Sequence, residues 1–189
     1  MVGSGVAPFF ARRSGRPAEQ HSEPPMDRSL DSTDIKILRE LQEDGRLSNV
    51  ELARRINLSP AACLERVKRL QADGIIQRYV ALLDPHRLEA GMLVFVEVVL
   101  DRTTPDNFDD FKATVLRMPQ IMECHMVAGG FDYLVKARVR DMNEYRLFLG
   151  ELLSTARGVR ETHTYAVMEE VKSVTAIPLD GLSGGSLRG

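Results

Sequence analysis

A serine, a proline and two alanines, followed by charges at helical spacing, open the stretch Leu58-Ser59-Pro60-Ala61-Ala62-Cys63-Leu64-Glu65-Arg66-Val67-Lys68-Arg69-Leu70. Ser59 is a residue type whose hydroxyl accepts from the orphan N–H groups of a first helical turn. Pro60 then falls at the first helical position, where its missing N–H costs nothing. Cys63, Val67 and Leu70 share one face of the resulting helix, and Ala61, Ala62, Glu65, Lys68 and Arg69 fall on the other. That second face is small at its start and basic further on. Small residues allow close approach and basic ones suit a phosphate backbone, which is what a helix in the major groove of double-stranded DNA requires. Ala61, Ala62, Glu65 and Arg69 are the candidates for base edges, with Glu65 accepting from a cytosine amino group and Arg69 reaching guanine or phosphate. Ser59 belongs to the same DNA-facing set. Arg46, Arg54, Lys68 and Arg78 suit phosphate contacts, which add affinity but little sequence choice. Arg66 lies toward the core side and is expected to pair with Glu51 or Asp73.

An isolated basic helix is more often a solvated face than a reader of DNA, so its neighbours matter. Asp31-Ser32-Thr33-Asp34 offers caps for a helix whose core face is Ile35, Leu38 and Leu41, with Ile37 at the edge, stopping at Asp44-Gly45. Ser48 opens a second helix, and Glu51 three residues on reads as a capping box. Asn57-Leu58 is then a very short connection to the Ser59 cap, which makes a helix-turn-helix pattern within a three-helix unit. The third helix stops at Asp73-Gly74, and residues 75–82 read as a strand, a wing leading out of the module. Between Arg46 and Arg78 the basic residues exceed the acidic ones by four, against a net charge of −2 for the 189-residue chain. Such asymmetry points to a local polyanion-binding module and not to bulk attraction.

Beyond a turn and hinge at Asp84-Pro85-His86-Arg87, the period changes. Residues 92–100 are an apolar strand. Thr104-Pro105 opens a helix with Phe108, Phe111, Val115 and Leu116 on its inner side. A strand over 121–127, a Gly129-Gly130 turn and a strand over 133–139 follow. Asp141 caps a helix carrying Met142, Tyr145, Phe148, Leu149 and Leu152, Gly158 breaks it, and residues 159–174 read as one long last strand. The order β-α-β-β-α-β is the ferredoxin-like arrangement, so the fold class is α+β: a winged helix-turn-helix domain followed by a ferredoxin-like domain. Helices on one side leave the other sheet face open, and a second copy of the chain is its simplest cover. The expected boundaries are a disordered extension over 1–29, the DNA-binding domain over 30–76, a linker over 77–90, the ferredoxin-like domain over 91–178 and a flexible tail over 179–189.

Other chemistry finds little footing. Two cysteines, Cys63 and Cys124, both in apolar patterns, read as buried thiols with neither a disulfide framework nor zinc spacing. Cys124 and His125 alternate across a strand and cannot share one metal. No nucleophile–base motif is legible, so no catalytic residue, metal or cofactor is expected. The longest apolar run falls far short of the ~20 residues of a membrane span. A cytoplasmic protein is expected.

The segments Leu30-Asp31-Ser32-Thr33-Asp34, Asp44-Gly45-Arg46-Leu47-Ser48-Asn49-Val50-Glu51-Leu52-Ala53, Leu58-Ser59-Pro60 with Cys63-Leu64-Glu65-Arg66-Val67, Gly129-Gly130-Phe131-Asp132-Tyr133-Leu134 and Tyr165-Ala166-Val167-Met168-Glu169-Glu170-Val171 resemble the Lrp/AsnC family of bacterial and archaeal transcription regulators. The resemblance covers residues 27 to 178 in one register and lies nearest the family's leucine-responsive branch. It implies a dimer assembling further, often to octamers. It also implies an amino-acid effector, leucine or another, bound at subunit interfaces of the C-terminal domain. By residue, Met126, Gly129, Gly130, Asp132 and the adjoining Tyr133, with Met142, Ser154, Tyr165, Ala166 and Val167, match positions associated with effector response. Gly130 departs from the acidic residue usual in the family. For the zwitterion of a free amino acid, backbone N–H groups around Gly129-Gly130 could cradle the carboxylate and Asp132 could accept from the ammonium. The same residues also read as a plain hairpin turn.

Overall fold

The computed structural model describes residues 30–182. The disorder expected over 1–29 and the part of the tail beyond 182 lie outside the described residues. The chain divides into two compact units, one running to Tyr79 and resuming at Ala176, the other Val80–Thr175.

The first unit holds α1 (Ser32–Glu43), α2 (Asn49–Arg55) and α3 (Pro60–Ala72). Asp31 accepts from the N–H groups of Thr33 and Asp34, and the Asp34 carboxylate accepts from the Asp31 N–H, so a reciprocal capping box starts α1. The box expected at Ser48 forms only by half. Ser48 Oγ accepts from the Glu51 N–H at 3.2 Å, but the Glu51 carboxylate is taken by Arg54 and Arg55. The inner face of α1 is wider than expected: Ile35 is buried and Leu38 and Leu41 pack on the core as expected, and two further residues join them. Ile37 is fully buried, not marginal, and Asp34 at 2% exposure lies on the same inward stripe with Leu38 and Leu41. Ile37, Leu52, Ala53, Ile56, Cys63 and Leu70 form this unit's core.

Two asparagines shape the α2–α3 turn. Asn57 takes the left-handed conformation (φ 58°), which asparagine tolerates better than most side chains, and the Leu58 N–H reaches back to the Ala53 carbonyl. Asn49 Nδ2 donates to the Pro60 carbonyl at 2.7 Å, tying the start of α2 to the start of α3. The strand expected over 75–82 is not formed: no ladder includes it, and Tyr79, Val80 and Leu82 are exposed. A strand needs a partner edge, and β-propensity without one does not make a ladder.

The second unit contains β1 (Met92–Leu100), α4 (Pro105–Val115), β2 (Ile121–Met126), β3 (Tyr133–Val139), α5 (Met142–Thr155) and β4 (Val159–Ala166). The strands form one antiparallel sheet in the order β2-β3-β1-β4. Alternate residues Val94, Val96, Val98 and Leu100, with Val135, Ala137 and Val139, face Phe111, Val115, Phe148 and Leu152 of the helices. Leu116, expected on the inner side of α4, is 86% exposed because the helix ends at Val115 and the chain turns there. The last strand is half as long as its alternation suggests. Ala166 pairs with Val94 and the Val167 N–H reaches the Leu93 carbonyl, one residue short of the start of β1 at Met92. The chain then crosses to Arg138, whose Nη2 donates to both Glu170 carboxylate oxygens at 2.7 Å.

Residues 176–180, expected as the end of the second domain and a loose tail, belong to the first unit. Ile177 is hydrogen-bonded to Gln42 and Asp180 is ion-paired with Arg39.

Candidate functional site

The exposed side of α3 begins at the Ser59 cap, where Ser59 Oγ accepts from the Ala62 N–H at 3.3 Å. Ser59, Ala61, Ala62, Glu65 and Lys68 are all exposed on it, and Arg46, Arg54 and Arg78 are also exposed. The structure therefore brings most of the proposed DNA-facing residues onto solvent. Their charges are tempered by local partners. Lys68 lies 3.3 Å from Glu65, and Arg54 makes two hydrogen bonds to Glu51, at 2.9 and 2.7 Å. Those Arg54 bonds, then bonds from Arg55, hold the Glu51 carboxyl down at about 2.

Arg69 departs from this face. Its Nη2 donates to Asp34 Oδ2 at 2.5 Å, and the guanidinium turns toward α1. Arg66 donates to the other Asp34 oxygen at 2.9 Å and to Asp31 at 2.6 Å, not to Glu51 or Asp73. Asp34 is nearly sealed from water, and a buried carboxylate requires charged or multiple donors. Two guanidiniums one helical turn apart supply them and drag Arg69 off the outward side. Burial acts to raise the Asp31 carboxyl, but the Arg66 hydrogen bond and the backbone donors outweigh it and the net shift is downward. The signal was present in sequence: Asp34, Ile37, Leu38 and Leu41 follow an i, i+3, i+4, i+7 stripe.

The residues matched to effector response do not converge within one chain. Asp132 sits at the Val98–Leu100 end of β1: its N–H donates to the Val98 carbonyl at 2.9 Å and its Oδ2 accepts from the Leu100 N–H at 2.7 Å. Met126, Gly129 and Gly130 belong to the same end and are exposed. Tyr165, Ala166 and Val167 pair with Phe95, Val94 and Leu93 toward the other end of that strand. The four-residue offset between the Val94 and Val98 positions is about 13 Å along a strand. Met142 opens α5 and Ser154 lies near its close, both exposed. Tyr133 packs into the core. It is 2% exposed on the helix side of β3, with its ring centroid 4.5 Å from that of Phe111. Gly129 and Gly130 stand in open space and neither has a positive φ, so no steric demand fixes glycine there. Asp132 serves as a latch for its loop, since the Val127 N–H donates to the Asp132 carbonyl at 3.0 Å while Oδ2 holds Leu100.

Among the described residues, no helix is long and apolar enough to cross a membrane. No group of three or more His, Cys, Asp or Glu residues among them is placed to hold a metal ion.

A capped, outward-facing third helix in a three-helix unit, joined to a βαββαβ domain, defines a two-domain DNA-binding regulator with a small-molecule module. Comparison with known proteins gives the same two parts, with the second family match running on to residue 177. A family described as winged helix-turn-helix DNA-binding matches residues 30–77, and the Lrp/AsnC ligand binding domain matches residues 93–177. The chain belongs to the Lrp/AsnC family. It is 57% identical over 145 residues to the leucine-responsive regulatory proteins of Salmonella typhimurium and Escherichia coli K12, covering 77% of this chain and 88% of each relative. A transcriptional regulator of Neisseria meningitidis solved in complex with L-Met superposes with a TM-score of 0.78 at 42% identity, over 82% of this chain and 99% of that one. An AsnC family regulator of Agrobacterium tumefaciens gives 0.78 at 33% identity, over 81% and 99%. The chain is thus an Lrp-like DNA-binding regulator carrying an Lrp/AsnC ligand-binding domain.

Proposed function

We propose that this regulator reads specific DNA sequences with the outward face of α3 and responds to a leucine-like amino acid bound between copies of the chain. Ala61 and Ala62 let the helix approach base edges, Glu65 accepts from a cytosine amino group, and Ser59, Arg46, Arg54, Lys68 and Arg78 hold the phosphates. Arg69 is assigned to holding α3 on α1 and not to the bases. The site of action is the cytoplasm.

The observation that carries the effector half is the separation of its candidate residues. With the loop around Asp132 at one end of β1 and Tyr165 to Val167 toward the other, a pocket using both sets is completed by a second chain. The open sheet face, with Tyr165 half exposed, favours a homodimer and further assembly toward an octamer. A ligand at such an interface alters DNA binding by favouring one assembly state over another. The L-Met bound to the Neisseria regulator supports the amino-acid class.

The test is fluorescence anisotropy with DNA from upstream of the protein's own gene and with random DNA of equal length, each with and without leucine or methionine. Preferential binding to the upstream DNA, shifted by one of the amino acids, is the expected result. Equal affinity for both DNAs, unmoved by either amino acid, overturns the reading.

A further inference from the structure

The outer side of α1 carries two residues nearly one turn apart, Arg39 and Gln42, that hold a segment from the far end of the chain. Gln42 Nε2 donates to the Ile177 carbonyl at 3.1 Å, and Gln42 Oε1 accepts from the Ile177 N–H at 2.7 Å. One carboxamide thus satisfies both main-chain groups of one residue, as a neighbouring strand would. Three residues on, Asp180 lies 2.9 Å from Arg39 Nη2. Pro178 stands between them and restricts φ. The side chains of Ile177 and Asp180 remain exposed, so main-chain geometry and charge select this segment, not burial. The charge fits: a cleft beside α1 is lined by Lys36, Arg39 and Arg55, with Glu40 its one carboxylate.

We propose that this face of α1 is a docking surface for an extended segment with one carboxylate at its end and that its occupant is the chain's own residues 176–180. Docked there, the segment is a second tether on the helix-turn-helix unit. The chain leaves that unit after Tyr79 and rejoins it at Ala176, so docking holds the unit at both crossings. A unit held by one crossing swivels, whereas one held by two presents α3 over a narrower range of orientations. The docked state is favoured over the free one by only about tenfold, because all three contacts are solvent-exposed and the ion pair is weakened by salt. The consequence for DNA is spacing: tethered units accept two half-sites at one separation and resist others. This role rests on the DNA-binding reading of α3, whereas the docking itself does not.

The experiment uses the full chain in two measurements. Amide exchange by NMR is expected to show the Ile177 N–H protected in the wild type and its exchange accelerated about tenfold or more by Gln42→Ala, with α1 amides unchanged. Gln42→Glu keeps the acceptor oxygen and is expected to retain protection at Ile177. DNA carrying two half-sites, at the preferred separation and shifted by half a helical turn, is then titrated. The Arg39→Ala/Gln42→Ala double variant is expected to lose roughly tenfold of the wild type's spacing preference while binding a single half-site as before. An Ile177 amide that exchanges freely in the wild type overturns the docking. An unchanged spacing preference in the double variant overturns the tether. Wild-type protein that binds neither DNA overturns the reading of α3 and the tether with it, a result distinguishable from the other two.

Discussion

Asp34 and Arg69 face each other across the α1–α3 interface, with Oδ2 2.5 Å from Nη2, and Arg66 closes on the second carboxylate oxygen. The carboxylate is almost wholly buried, while the guanidiniums keep part of their surface in water. This pairing orients α3: the side chain that would extend the outward basic face is turned in to hold the helix.

Asp34→Ala is therefore expected to lower stability by roughly 1–3 kcal/mol, the scale of lost charge-assisted hydrogen bonds whose donors can still reach solvent. Asp34→Asn keeps an acceptor oxygen and should fall between it and the wild type. Urea unfolding midpoints at constant m-value check both. Arg69→Ala is expected to lower stability similarly while leaving the preferred DNA sequence in place. A changed preference in that variant would return Arg69 to the bases.

The Arg54–Glu51 pair makes an opposite prediction on the DNA side. Glu51 neutralises a cation beside the proposed phosphate path, so Glu51→Gln should raise affinity for all DNA and steepen its salt dependence by about one counterion. The sign for pH follows from the lowered carboxyl. Because it titrates at about 2 when folded and higher when unfolded, the pair's contribution is complete above the ordinary carboxylate range and is lost as pH falls toward 2. Glu51 itself should impart no pH dependence to DNA binding between roughly pH 6 and 8. Anisotropy titrations over pH and salt measure both effects.

Much of this arrangement was legible before any coordinates. The Ser59 cap with Pro60, the Ser48 start, the Gly74 stop and the βαββαβ order all follow from local chemistry, which acts within a few residues. What was not legible depends on partners distant in sequence. The length of β4 depends on its pairing with β1, which reaches only to the Met92 end of that strand, the absence of a strand over 75–82 on the lack of an edge to join, and the course of Arg69 on a carboxylate of another helix. Likewise, the half-formed box at Ser48 reflects competition, since Glu51 finds two arginines closer to hand than its own cap. The burial of Tyr133 is hidden for a simpler reason: position beside a loop says nothing about which side of a strand a residue faces.

The Asp132 latch separates structure from ligand. Asp132→Ala removes the acceptor for the Leu100 N–H and should destabilise the fold by about 1–2 kcal/mol. Asp132→Asn retains an acceptor there but no negative charge, so it should fold nearly as well and lose most of the amino-acid response. A thermal-shift series with leucine and methionine reads both, because a ligand that binds only the folded state raises its stability. Gly130→Ala enters open space at an ordinary φ and should leave stability unchanged or slightly improved.

Burial pushes the Cys124 thiol up to about 11 and moves Cys63 in the same direction. Little thiolate then exists at neutral pH, so both should react slowly with iodoacetamide at pH 8 until urea unfolds the chain. Between the ordinary thiol range and about 11, the folded state holds a proton at Cys124 that the unfolded chain has released. Stability should therefore fall as pH rises through that window.

The measurement that tests the DNA-reading α3 most directly is selection of preferred sites from randomised DNA by the wild type, Glu65→Gln and Arg69→Ala. The expected result is a defined wild-type motif, altered at a cytosine-containing position in Glu65→Gln and retained in Arg69→Ala. Selection of no motif by the wild type, or one that Glu65→Gln leaves untouched while Arg69→Ala rewrites it, would contradict the assignment of this helix face.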